Sequence, residues 1–119
     1  MWILCPRAGL ISIIASDRDK NLLVCRARTA GSLKMMFGAD TEEIELDGRD
    51  YAYRAFVDRR TVGAVIAGRL MNLKYTNVKG SIDPDNHALH DAFMTTWHTF
   101  AALQSPPPYS RRTSRKGAK

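Results

Sequence analysis

What this sequence has little of narrows its chemistry. Two cysteines, Cys5 and Cys25, and three histidines, His87, His90 and His98, are the whole supply of thiol and imidazole ligands in 119 residues. A structural zinc site asks for four such ligands at close spacing, and neither cysteine has that spacing to a histidine. Both cysteines sit in apolar, strand-like surroundings, where a free thiol behaves as a small hydrophobe, and two alone make a poor disulfide framework. No serine occupies a nucleophile elbow, and no glycine-rich loop leads into a helix to cradle phosphate. No apolar run approaches the ~20 residues needed to span a bilayer. The first residues lack the basic segment, long apolar core and small-residue cleavage site of a signal peptide. These absences lead to the expectation of a soluble, cytoplasmic protein with no catalytic residues, no metal and no cofactor.

Acid is missing from one place in particular. The last nine residues carry Arg111, Arg112, Arg115, Lys116 and Lys119 and no carboxylate, so they account for most of the formal charge of +6. The remainder is close to neutral. The chain length suits one core, and 45% hydrophobic residues is ordinary for a globular protein. The expected organisation is a single domain over residues 1–104 and a proline-rich, basic, disordered tail over 105–119.

Apolar residues 2–5 and 10–15 read as a β-hairpin, with turn chemistry at Pro6 and Gly9. Residues 22–28 return as a third strand, in which Leu23, Cys25 and Ala27 share one face and Val24, Arg26 and Arg28 the other. A short helix is expected over 29–37, capped by Thr29 and stopped by Gly38. The acidic connector that follows, from Ala39 to Arg49, reads as solvated, with a short strand at Ile44 and Leu46. Residues 51–57 alternate again, Tyr51, Tyr53, Ala55 and Val57 against Ala52, Arg54 and Phe56. Then comes the clearest helix, capped by Asp58 or Thr61, with Val62, Val65, Ile66, Arg69, Leu70 and Leu73 on one stripe. A last helix over about 85–103 repeats the pattern with His90, Phe93, Met94, Trp97, Phe100 and Ala101, and Pro106 to Pro108 end it. The fold class is α+β: a mostly antiparallel sheet of about four strands with two to three helices packed on one face.

Several pieces in order resemble a widespread, uncharacterised family of small bacterial proteins. Its pattern runs M-W-I/L-x-T-x-x-G-F-F-S, then R-A-R before a short helix, D-Y-x-Y-R, Y-x-N-F-K and a closing helix with tryptophan. The matching pieces are Met1-Trp2-Ile3, Gly9 to Ser12, Arg26-Ala27-Arg28, Asp50 to Arg54, Tyr75 to Lys79 and Trp97. The resemblance covers residues 1 to about 100. It departs from the pattern at Cys5-Pro6, at Leu10-Ile11 in place of the aromatic pair, and at Val78 in place of phenylalanine. It implies a compact α+β domain and no particular activity.

The candidate site residues are Arg26, Arg28 and Arg54 on one face of the sheet, with Tyr53 nearby, and the loop residues Tyr75, Asn77 and Lys79. Cations beside rings are the ingredients of single-strand nucleic-acid binders; the plainer reading pairs these arginines with the acidic connector. Asn77 in its loop equally suits a backbone cap. The leading expectation is a non-catalytic binding protein engaging an acidic protein or nucleic acid. A second is a phage or mobile-element inhibitor of a host defence protein, by analogy of kind alone. A third is a small metal-dependent enzyme using His87 and His90.

Overall fold

The structure, a computed structural model, describes residues 1–110. Within them the chain forms two compact units, one from Met1 to Asp83 and the other starting at Pro84. The expected α+β class is observed: five antiparallel strands and three helices. The strands are β1 (Trp2–Cys5), β2 (Gly9–Ala15), β3 (Leu22–Ala27), β4 (Ile44–Glu45) and β5 (Tyr53–Asp58), in the spatial order β1-β2-β3-β5-β4. The fifth strand is the two-residue β4, which joins the far edge through Ile44 opposite Arg54. Gly9 opens β2 with a φ of 77°, which lets the tight Pro6–Ala8 turn reverse without a side-chain clash.

One face of the sheet supplies Ile11, Ile13, Cys25, Ala27 and Ala55 to the core. Helix α1 (Ser32–Phe37) adds Leu33 and Met36, and α2 (Arg59–Met71) adds Val62. The alternation in β3 is therefore realised, with Cys25 and Ala27 fully buried on the helix side. Cys25 pairs with Ile13 of β2, which separates it from β1 and Cys5. Both thiols are free. Burial pushes the Cys25 thiol up to about 12, and Cys5 is raised for the same reason, with Arg69 pulling the other way.

Several boundaries differ from the sequence reading. Helix α1 begins at Ser32 rather than Thr29, because Gly31 holds a left-handed φ of 85°. Its exposed amides are met by Glu43: one carboxylate oxygen accepts from the Gly31 N–H at 2.8 Å and the other from the Leu33 N–H at 3.1 Å. The connector is thus tied to the domain at one residue instead of being wholly solvated. Gly38 does end α1, at φ 119°. Asp58 caps α2, its Oδ1 accepting from the Arg60 and Thr61 amides. The α2 stripe is covered over its first half: Val62 is buried and Val65 and Ile66 pack partly buried against the core, whereas Leu70 and, past the helix end, Leu73 are exposed.

The second unit holds α3 (His87–Ala101), capped by Asn86, whose Oδ1 accepts from the Leu89 N–H. Phe93 is its buried residue; Trp97 and Phe100, expected on the same inward stripe, are exposed. Trp97 stacks on Tyr109 at 6.0 Å. Residues 111–119, which hold the basic end of the expected tail, lie outside the described residues.

Candidate functional site

The sheet register sets the site. On the face opposite α1 and α2, Arg26 of β3 stands directly across from Arg54 of β5, and across from Ser12 of β2 on its other side. Arg28, one residue past the end of β3, comes to the same Tyr51 ring as Arg26. Like charges directly opposite on neighbouring strands repel, so something local has to offset them. For Arg26 that something is Tyr51, which also takes Arg28. The Arg26 guanidinium lies 4.5 Å from its ring centroid and the Arg28 guanidinium 4.3 Å. A cation over an aromatic face gains ~0.5–1 kcal/mol when exposed and ~2 when desolvated. The Tyr51 ring is only 3% exposed.

Hydrogen bonds fix the arrangement. The Arg26 Nη2 donates to the fully buried Ser12 Oγ at 2.8 Å, and the Arg28 Nε donates to the Asp50 carbonyl at 3.2 Å. Asp50 in turn accepts from the Tyr51 amide through Oδ1. The Nε–H groups of Arg26 and Arg54 are shielded from solvent and meet no acceptor. Among the described residues no carboxylate lies within ion-pairing range of Arg26, Arg28 or Arg54. The pairing with Glu42 to Asp47 that the sequence suggests does not form, and Glu43 is turned instead to the α1 amides.

The expectation for Tyr53 is corrected. Tyr53 is not beside the arginines: β5 starts there, and its side chain packs against the core with Ala55 and Val57. Tyr51 precedes the strand and escapes the alternation, so it takes the role expected of Tyr53. The face is also not openly solvated at its centre, since Ser12 is fully buried and Val24 is 5% exposed. Arg26 and Arg54 are half-buried and Arg28 is exposed. Trp2, Leu4, Ile14, Ile44 and Phe56 are exposed apolar residues on this face.

The loop residues fall elsewhere. The Asn77 Oδ1 accepts from the Lys79 and Gly80 amides and caps a single 3₁₀ turn, Lys79–Ser81, while the Ser81 hydroxyl donates to the Asn77 carbonyl. Its amide is therefore engaged with backbone. The Lys79 side chain is exposed. Tyr75 lines a groove beside β1 with Ile3, Cys5, Ile66 and Leu70. His87 opens α3, and His90 sits 3.9 Å from Asp91 with both side chains largely in solvent. Among the described residues no three His, Cys, Asp or Glu side chains are grouped to hold a metal, and no helix is long and apolar enough to cross a membrane.

The fold and site together define a small α+β domain with an arginine cluster clamped on one tyrosine. The chain matches no protein-family model, no curated protein and no solved structure.

Proposed function

We propose that this chain is a non-catalytic binding protein that engages an acidic protein surface through Arg26, Arg28 and Arg54. The observation that carries the reading is the pair of guanidiniums on the Tyr51 ring, held next to a third arginine by strand register. A tyrosine ring orients arginines without neutralising them, so their charge stays available to a carboxylate-bearing partner. Bidentate guanidinium–carboxylate pairs are the strong form of such contacts. The basic residues at 111–119 add non-specific attraction that speeds encounter.

An acidic protein suits the site better than a single nucleic-acid strand. Base stacking needs a free ring beside the cations, but Tyr51 is already covered and Tyr53 belongs to the core. Trp2, in the row of Ser12 and Arg26, and Phe56, two residues along β5 from Arg54, are exposed on the same face, but among the described residues no guanidinium stacks on either ring.

The test compares wild type with Arg28→Glu, the most exposed member of the cluster, in pull-downs from host extract resolved by mass spectrometry. Circular dichroism checks folding. Acidic partners captured by wild type are expected to disappear with Arg28→Glu, because reversal turns attraction into repulsion across the contact. A folded Arg28→Glu protein that recovers the same partners contradicts the proposal.

A further inference from the structure

A different surface, at the other edge of the sheet, carries its own ligand chemistry. Met1 and Ile13 exchange both backbone bonds, Met1 N–H to the Ile13 carbonyl and Ile13 N–H to the Met1 carbonyl, each at 2.8 Å. In an antiparallel ladder such pairs alternate with unbonded ones. Ile3 opposite Ile11 and Cys5 opposite Gly9 are therefore bonded pairs, and Trp2 and Leu4 point their N–H and C=O groups away from β2. Among the described residues no strand lies beyond β1 and no backbone group bonds these four. Edge strands are ordinarily protected by lysine, proline or a bulge. Trp2–Cys5 has none of these, and Trp2 and Leu4 are 68% and 41% exposed.

Beside this edge, on the helix-covered face, runs a groove of about 630 Å³ between β1 and the last turns of α2. Its apolar wall includes Ile3, Ile66, Leu70 and Leu73, and Leu70 and Leu73 are exposed although they continue the inward stripe of α2. Among the described residues, the charged ones lining it are Arg69 and Lys74, with no carboxylate. Arg69 is steadied by donating to the Met35 carbonyl at 3.0 Å.

We infer that β1 accepts an extended segment of a partner protein as a sixth strand, with apolar side chains in the groove and acidic ones against Arg69 and Lys74. The unpaired backbone groups distinguish a peptide from an apolar small molecule or lipid, neither of which continues a ladder. The charge of the lining distinguishes it from a second copy of this chain, because Trp2–Cys5 brings no acid to meet Arg69 and Lys74. Backbone bonds supply affinity in this mode, and pockets for alternate side chains supply selectivity. The site is separate from the arginine cluster, and neither reading depends on the other.

The experiment selects binders from a random short-peptide display library on the full chain, then measures the enriched peptides by fluorescence polarisation. Two variants accompany wild type. Leu4→Pro removes an outward N–H and leaves the β1–β2 ladder intact, since Pro is tolerated at such an edge position. Leu70→Glu places a negative charge in the groove at a residue 67% exposed, where the fold is insensitive. Enriched peptides are expected to carry apolar residues with an Asp or Glu among them at every second position, since alternate side chains of an added strand share the groove face with Arg69 and Lys74. They should bind about tenfold or more weakly to either variant, and to lose binding when their own alternate amides are methylated. Enrichment equal on wild type and Leu70→Glu, or indifference to amide methylation, overturns strand addition. Basic enriched peptides overturn the charge assignment. Concentration-dependent self-association that Leu4→Pro abolishes, with no peptide enriched, gives the edge to a second copy and overturns the proposal.

Discussion

Removing the Glu43 carboxylate should cost the domain more stability than any other change in the acidic connector. The carboxylate bridges 10 and 12 residues back along the chain to the Leu33 and Gly31 amides, and Leu33 is fully buried. A hydrogen bond to a charged group is worth ~1.5–3 kcal/mol. Glu43 is half-exposed, which places each bond near the lower end, and two bonds to one carboxylate do not add fully. Glu43→Ala should therefore cost ~2–3 kcal/mol, because the first turn of α1 is left without an acceptor at Gly31 and Leu33. Glu43→Gln keeps one acceptor oxygen and should lose about half of that. Thermal denaturation followed by circular dichroism reads the effect, at about 4–8 °C per kcal/mol for a domain of this size. Glu42→Ala and Glu45→Ala, both at exposed residues, serve as controls and should stay within ~0.5 kcal/mol of wild type. If Glu43→Ala melts with those controls, the cap contributes nothing and the account of α1 is wrong.

Three further outcomes are expected. The Cys25 thiol, held protonated by burial up to about 12 from an ordinary 9.0, should resist a thiol reagent in the folded protein at neutral pH and react on denaturation; equal rates in both states contradict its burial. Because the unfolded chain gives up that proton before the folded one does, this stability contribution is full below pH 9 and is lost as pH rises toward about 12, which a denaturant midpoint measured across that window checks. Phe93→Ala should cost ~3–5 kcal/mol, whereas Trp97→Ala, at a residue 38% exposed, should cost no more than ~1–2; the reverse order would contradict the burial of Phe93. Arg26→Glu should destabilise more than Arg28→Glu, since it sets a carboxylate beside the fully buried Ser12 and removes a hydrogen bond, and chemical denaturation of the two variants gives the comparison.

Much of the fold was legible because local chemistry and burial agreed. The two-residue alternation in 22–28 put Cys25 and Ala27 inside and Arg26 outside the core, and the structure keeps that assignment. Asp58 and Gly38 bound their helices through interactions with adjacent residues. What escaped the sequence is non-local. Glu43 looked solvated because its acceptor role depends on a turn bringing it back to Gly31 and Leu33. Tyr51 looked like a strand residue because the alternation of 51–57 continues into a segment where the ladder has ended, and its ring is placed by Asp50 and the arginines instead. The stripes of α2 and α3 were correctly periodic, but periodicity names a face without saying what covers it. Leu70, Leu73, Trp97 and Phe100 are therefore exposed where burial was expected. The sequence suits Asn77 to either a binding role or a backbone cap, and the backbone cap is the arrangement observed.

The central claim is that Arg26, Arg28 and Arg54 hold their charge available for a carboxylate-bearing partner, and the side-chain Nε–Hε signals of these arginines report on it directly. Titrating the isotopically labelled full chain with polyglutamate and following those signals by NMR should move all three together and saturably, and Arg28→Glu should abolish the response. Shifts confined to Arg111, Arg112 and Arg115, with the three sheet arginines unmoved, would contradict the account and leave the chain with only the non-specific attraction of its basic end.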